Sequence, residues 1–314
     1  MTPSPARDRF GAIAPVLAAT AAVLLWGGSF SAMKTAVSGL SPWAVMWARM
    51  TLGALLLLPF AGKLFRFPRY KKGDWKALAV LALLQPCLYF IFEANALTFT
   101  TSAQAGVISA SVPLLVAVGA CLTLGERLSA KTAAGLILAM LGVAWLSLEA
   151  APDARAPHPL LGNALELCAM ACAASYMLLL KGLSDRYGAW SLTALQTFAG
   201  AVFFLPGAAP FFRAALELDA ATLLSLAYLG AGATLGAFGL YNWGLSHMPA
   251  GKGSSFINLV PVSAALFGWL FLGETLSPVQ GMAALAVLIG VRLSQLGYRA
   301  PKPSGALSLD SQAS

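Results

Sequence analysis

Long apolar runs broken by short polar stretches set the plan of this chain. The first run covers about residues 12–33 and the second 42–61, followed by a basic stretch with Lys63, Arg66, Arg69, Lys71, Lys72 and Lys76. The third covers 77–97, and a Thr98-Phe99-Thr100-Thr101 turn leads into the fourth, 102–124, and then the fifth, 131–148. Beyond a stretch punctuated by Pro152, Pro157 and Pro159 come five more, at 160–180, 190–212, 220–245, 252–272 and 278–297. About 20 residues rising 1.5 Å each cover a hydrocarbon core of roughly 30 Å. The pattern therefore predicts an all-α polytopic membrane protein with ten transmembrane helices. Ser129 and Ser277 stand where helix N-caps belong, and Pro278 takes the favoured first helical position.

The two halves repeat each other. Residues 113–147 and 261–295 align without gaps at a shift of 148, with ten identities in 35 positions. The identities include Pro113 with Pro261, the Leu124-Gly125-Glu126 turn with Leu272-Gly273-Glu274, and Gly142-Val143 with Gly290-Val291. Five spans per half is an odd number, so the second half enters the membrane from the opposite face, and the expected fold is two inverted five-helix repeats. The domain plan is a cytoplasmic segment 1–11, a first repeat 12–150, a linker 151–159, a second repeat 160–297, and a Pro-, Ser- and Gly-rich tail 298–314 expected to be disordered.

Composition sharpens this reading. Charged residues make up 10% of the 314 residues and hydrophobic ones 59%, where a soluble domain carries about 25% charged. With the amino terminus cytoplasmic, 16 of the 20 Lys and Arg fall on that side, Lys34, Arg155 and Arg213 fall outside, and Arg49 lies within the membrane. The net charge of +8 is thus a topology signal that places both termini in the cytoplasm, and no nucleic-acid surface is visible. Cys87, Cys121, Cys168 and Cys172 all lie in apolar runs and read as small buried hydrophobes; with two histidines in the chain, neither nearby, no metal is expected. No phosphate-cradling Gly-x-x-x-x-Gly-Lys motif is present and no cofactor is called for, so partners reduce to the bilayer, a small-molecule substrate and protons as a coupling ion. An intramembrane enzyme would need a clustered catalytic set, and no histidine lies within a span.

Trp26-Gly27 late in the first span with Lys34 after it, a proline in the fourth and ninth spans, and a Gly-Glu-x-Leu turn after each resemble the EamA-type permeases of the drug/metabolite transporter superfamily. The resemblance covers about residues 10–297. It implies a bacterial inner-membrane carrier of small metabolites, often an exporter of amino acids or related compounds, with a central cavity lined by the first, third, fourth, sixth, eighth and ninth spans. An uptake carrier for a sugar or nucleoside and a non-transporting membrane regulator are the alternatives.

Ionisable groups within a span are costly and are functional candidates by default. Arg49, Glu93 and Glu166 all fall about 6 to 11 Å from the external ends of their helices, in one layer. Three roles stay open: a structural ion pair of Arg49 with Glu93 or Glu166, a seat for a substrate carboxylate on Arg49, or proton exchange on Glu93 or Glu166. On the third span Gln85, Tyr89 and Glu93 are spaced i, i+4, i+8 and should face one way, with Asn95 nearby and a Pro86 kink freeing backbone carbonyls for a ligand. Tyr228, Tyr241, Asn242 and Trp243 on the glycine-rich eighth span, with Trp26, Ser109, Ser111, Tyr176 and Asn258, complete the pathway candidates; packing or a hydrogen bond between helices is the plainer role for each. Pro113 and Pro261 should break or bend their helices. Glu126 and Glu274, in turns at opposite faces, are read as structural, each stabilising the N-terminus of the helix that follows it.

Overall fold

The computed structural model describes residues 5–65, 70–124, 129–183, 186–246 and 255–297. All regular structure among them is helical. The first half comprises α1 (Pro5–Gly39), α2 (Pro42–Leu57, continued by short turns to Leu64), α3 (Asp74–Ala82), α4 (Tyr89–Phe99), α5 (Ser102–Ser109), α6 (Val112–Leu124) and α7 (Ala130–Leu148). The second comprises α8 (Pro159–Leu183), α9 (Ala189–Phe203), α10 (Ala208–Ala214), α11 (Ala220–Ala227), α12 (Ala237–Ser246), α13 (Val260–Leu272) and α14 (Pro278–Gly297). Wider π-helical turns join α3 to α4 over Leu83–Leu88 and α11 to α12 over Tyr228–Gly236.

Among the described residues seven helices are long and apolar enough to cross a membrane, and the α9–α10 pair, bent by 54° at its break, makes an eighth. Val260–Leu272 and Pro278–Ser294 are shorter apolar helices. Helix lies on each predicted run, with differences that have local causes. α1 continues through Lys34 to Gly39, because Ser31, Thr35 and Ser38 hold their hydroxyls within the helix or against a neighbour and nothing interrupts it. The fourth run breaks at Ala110-Ser111, since Pro113 in the first turn of α6 has no N–H to continue the ladder. Residues 252–254 of the ninth run and the tail from 298 onward lie outside the described residues.

Side-chain caps fix where the helices start. Ser41, Thr101, Ser129 and Ser277 accept from the N–H three residues on, and Gln280 Oε1 accepts in return from Ser277 N at 3.0 Å, a capping box. Gly273 closes α13 at φ +61°, where a Cβ would be strained.

The halves meet through paired equivalents. A Cβ on Gly290 would lie 2.5 Å from Ala139 N and 2.7 Å from Gly135 O, and one on Gly142 would lie 2.9 Å from Val287 N and 3.0 Å from Ala283 O. A shift of 148 converts one set into the other, so this is one contact seen from its two sides. Gly135 meets Gly290 and Ser294 while Gly142 meets Ala283 and Val287, so α7 and α14 run antiparallel. Gly53 against Thr197 and Gly200 against Met50, with Trp43 beside Phe204, give the same antiparallel order for α2 and α9. Elsewhere α1 packs on α12 and α13, and α8 packs on α4, α5 and α6, which is the same pairing with the halves exchanged. Phe30, Met33, Met46, Met50, Phe90, Leu97 and Phe204 fill the core between them. Leu17, Leu122, Leu141, Val202, Leu224 and Phe271 stand exposed, as lipid-facing side chains do.

Candidate functional site

Arg49 and Glu93 meet inside the bundle. Ser41 and Pro42 start α2, which places Arg49 about two turns in; Arg49 is 6% exposed and Glu93 5%. Arg49 Nη1 lies 4.0 Å from Glu93 Oε2, and the Tyr89 hydroxyl donates to Glu93 Oε1 at 2.6 Å. Arg49 Nε donates to Thr234 Oγ1 at 3.0 Å, and the guanidinium sits 4.2 Å above the Phe90 ring. Two elements of the first half and the π-helical turn of the second therefore share one buried cation. Glu166 on α8 is 0% exposed, neither of its oxygens has a hydrogen-bond partner among the described residues, and it lies within Coulombic reach of Glu93. A buried carboxylate without a partner is costly unless it carries a proton or meets a cation. The arrangement is a buried ion pair of Arg49 and Glu93 beside a carboxylate that has no hydrogen-bond partner among the described residues.

Gln85 departs from the expectation. Its backbone is extended, at φ −142° and ψ +118°, because the ring of Pro86 disfavours helix at the preceding residue. The i, i+4, i+8 face therefore stops at Tyr89. The carbonyl released at Gln85 is taken by a protein group: Gln196 Nε2 on α9 donates to it at 2.7 Å. The cavity between Arg49, Gln85, Pro86, Gln196 and Thr234 measures about 40 Å³, room for water and not for a metabolite.

The other candidates divide. Trp26 packs on Tyr241 and Phe238, with ring centroids 5.0 and 5.3 Å away, and the Tyr228 hydroxyl donates to Leu25 O at 2.7 Å, so the first and eighth runs are joined by an aromatic layer. Tyr176 reaches Gln196 Oε1 at 3.4 Å. Asn95 and Ser109 bond back to Ile91 O and Gly106 O within their own helices, at 2.7 Å each. Ser111, at the α5–α6 break, is buried, and its hydroxyl has no hydrogen-bond partner among the described residues. Trp243 is exposed on α12, and the side chains of Asn242 and Asn258 lie outside the described residues. Pro113 and Pro261 each stand in the first turn of a helix that follows a break. Of the cysteines Cys87 is buried, but Cys168 is exposed, so the picture of four buried thiols holds only in part.

A second cluster gathers at the end of the bundle where α1 finishes. Glu274, 4% exposed, accepts from Ser102 N and Ala103 N at 3.0 Å each and from Ser102 Oγ at 2.7 Å. It therefore caps α5 of the opposite half, correcting the assignment to the helix that follows it: Thr101 takes the N–H of Gln104 and leaves those of Ser102 and Ala103 for the carboxylate, whereas in the following helix Ser277 takes that of Gln280 and Pro278 has none. Glu126 lies outside the described residues. Lys34 Nζ donates to Leu97 O at 2.7 Å, Thr100 O at 2.6 Å and Arg155 O, and Arg155 Nη1 donates to Gly273 O at 2.8 Å. A cavity of about 430 Å³ opens beside Lys34, Thr98, Arg155 and Glu274. Arg155 entered the sequence reading only as a topology marker, and Lys34 as a topology marker and as part of the motif behind the family resemblance; neither was named as a site residue.

At the other end Asp74 accepts from Arg186 Nη1 at 2.6 Å, from Lys71 N at 3.0 Å and from the Tyr187 hydroxyl, fastening α3 to the segment before α9. Burial, with the bond to Asp74, pushes the Tyr187 phenol up to about 12.

Two stretches, 13–148 and 160–295, each match the model of the EamA-like transporter family. The chain belongs to that family. It is a multi-pass membrane transporter. It is similar to the "Uncharacterized transporter YetK" of Bacillus subtilis, 28% identical over 75% of this chain and 72% of that one. A Pseudomonas aeruginosa protein, PA1977, is 31% identical over 87% of this chain and 91% of its own. The "Probable amino-acid metabolite efflux pump" of Escherichia coli is 26% identical over 88% and 93%. A crystal structure covering 90% of this chain and 96% of its own superposes with a TM-score of 0.57 at 17% identity, a likeness of fold.

Proposed function

We propose that this EamA transporter is a secondary carrier that exports small polar metabolites, amino acids or related compounds, by alternating access between two inverted five-helix repeats. In this reading the repeats are 12–150 and 160–297, joined by the linker 151–159, with ten spans in a bacterial inner membrane and both termini cytoplasmic. The antiparallel contact of α7 with its equivalent α14 carries the reading, because two like helices related by exchange of the halves point opposite ways only if the halves do. The efflux-pump name of the Escherichia coli relative supports export of amino-acid metabolites.

The buried layer supplies the working groups. Arg49 receives a substrate carboxylate when Glu93 yields it, and Glu166 carries a proton that exchanges during the cycle, making protons the coupling ion. Trp26, Tyr228 and Tyr241 line the route where the first and eighth runs meet.

The test is efflux of labelled amino acids from loaded proteoliposomes under imposed proton gradients. Export faster than from protein-free vesicles and steeper with an opposing proton gradient is expected. Silence across the twenty amino acids and their simple derivatives would remove the substrate class, and labelling the Gly125 and Gly273 turns from the same side of the membrane would remove the inversion.

A further inference from the structure

The cluster at the end of α1 ties the two halves together at one face, and its bonds are of a kind that can be remade. Glu274, Gly273 and α13 belong to the second half; Lys34, Thr100, Ser102 and α5 belong to the first; Arg155 belongs to the linker. Each tie is a polar bond, and the 430 Å³ cavity opens beside Lys34, Arg155 and Glu274, so these groups can exchange their partners for water when the halves part. The α7–α14 contact has no such freedom, because its backbones touch across glycines. Directly inward of the Glu274 cap, Ser31 Oγ lies 3.4 Å from Ser102 Oγ, buried between α1 and α5.

We propose that Glu274, seated on the N-terminus of α5, is the residue that holds the external mouth of the carrier shut, with the Lys34–Arg155 tie as its second fastening. The proposal rests on the carrier reading for its sidedness and on the hydrogen bonds above for its geometry. The anion suits this post: the first N–H groups of α5 lack partners within their helix, and the positive end of the helix dipole favours a carboxylate over its neutral amide. The coil that follows left-handed Gly273 lets the carboxylate leave without unwinding α13.

The experiment places a reporter under the cap. Ser31→Cys, in the full-length protein, is exposed to a charged, membrane-impermeant methanethiosulfonate in right-side-out and in inside-out vesicles, and the chain without the reporter supplies the background from its native cysteines. Labelling is expected to be slow from outside when Glu274 and Lys34 are intact. Glu274→Gln sets an amide nitrogen against an N–H donor, and Lys34→Gln removes the ammonium; each should speed labelling from outside about fivefold or more. Should Glu274→Gln fail to fold, Lys34→Gln gives the same reading. Unchanged rates in folded variants, or rates rising equally from both sides, would overturn the gate. A rise from inside-out vesicles alone would overturn its outward placement, and with it the orientation taken from the carrier reading, whereas efflux failure in the proteoliposome assay leaves these rates untouched.

Discussion

Tyr89 donates its hydroxyl to one oxygen of Glu93 at 2.6 Å, one helical turn along, and leaves the other facing the guanidinium of Arg49 at 4.0 Å. The carboxylate is thereby held by a neutral donor on its own helix while its charge is balanced by another helix. A buried pair of this kind is strongly coupled, since removing one member strands the other.

Glu93→Leu should accordingly lower stability by about 3–5 kcal/mol by leaving Arg49 buried without a counter-charge, and Arg49→Leu added to it should restore much of the loss. Thermal unfolding of the purified single and double variants in detergent gives the coupling. Additive losses would mean that the two charges do not depend on one another.

Glu166→Gln should behave differently. Neither Glu166 oxygen has a hydrogen-bond partner to lose among the described residues, so the neutral isostere should leave folded yield and melting temperature within experimental scatter. Transport should lose its pH dependence, measured as efflux rate from proteoliposomes across a pH series. A pH profile like that of the parent would take the proton away from this residue.

Gly290→Ala puts a methyl group 2.5 Å from Ala139 N, and α7 must move to admit it. Overpacking of this kind costs about 1–3 kcal/mol. Gly281→Ala, on the same helix, meets nothing within 4 Å and should be neutral or stabilising by about 0.5–1 kcal/mol. The melting temperature of Gly290→Ala should fall and that of Gly281→Ala should hold or rise.

Gln196→Leu removes the donor that satisfies the Gln85 carbonyl. A fully buried acceptor left alone costs about 1–3 kcal/mol and this half-buried one less, and the kink should become the least protected part of the third run, seen as faster amide exchange near residues 84–90 than in the parent. Equal exchange would show that water replaces Gln196 without loss.

The helices were legible because a span needs length and apolarity, and both are local properties of the chain. Counting residues along those helices also put Arg49 and Glu93 at like positions, and they lie 4.0 Å apart. What escaped was set by partners from elsewhere. Thr234 and Phe90 hold the Arg49 guanidinium, yet one lies 185 residues away, and nothing nearby in sequence marks it. Glu274 was matched to the helix next in sequence, when the free N–H groups that attract it, those of Ser102 and Ala103, belong to the other half. Gln85 is the exception, for the residue before a proline is biased toward extended backbone on local grounds alone, and the regular spacing of Tyr89 and Glu93 concealed that.

Arg155 sits in the segment that joins the repeats, and it has no counterpart there: one connecting peptide serves both halves, so it can lie at one face only. Its carbonyl receives Lys34 and its guanidinium holds Gly273. The connecting peptide thus bridges α1 of the first half and the turn after α13 of the second with a single residue, an asymmetry that no exchange of the two halves can reproduce.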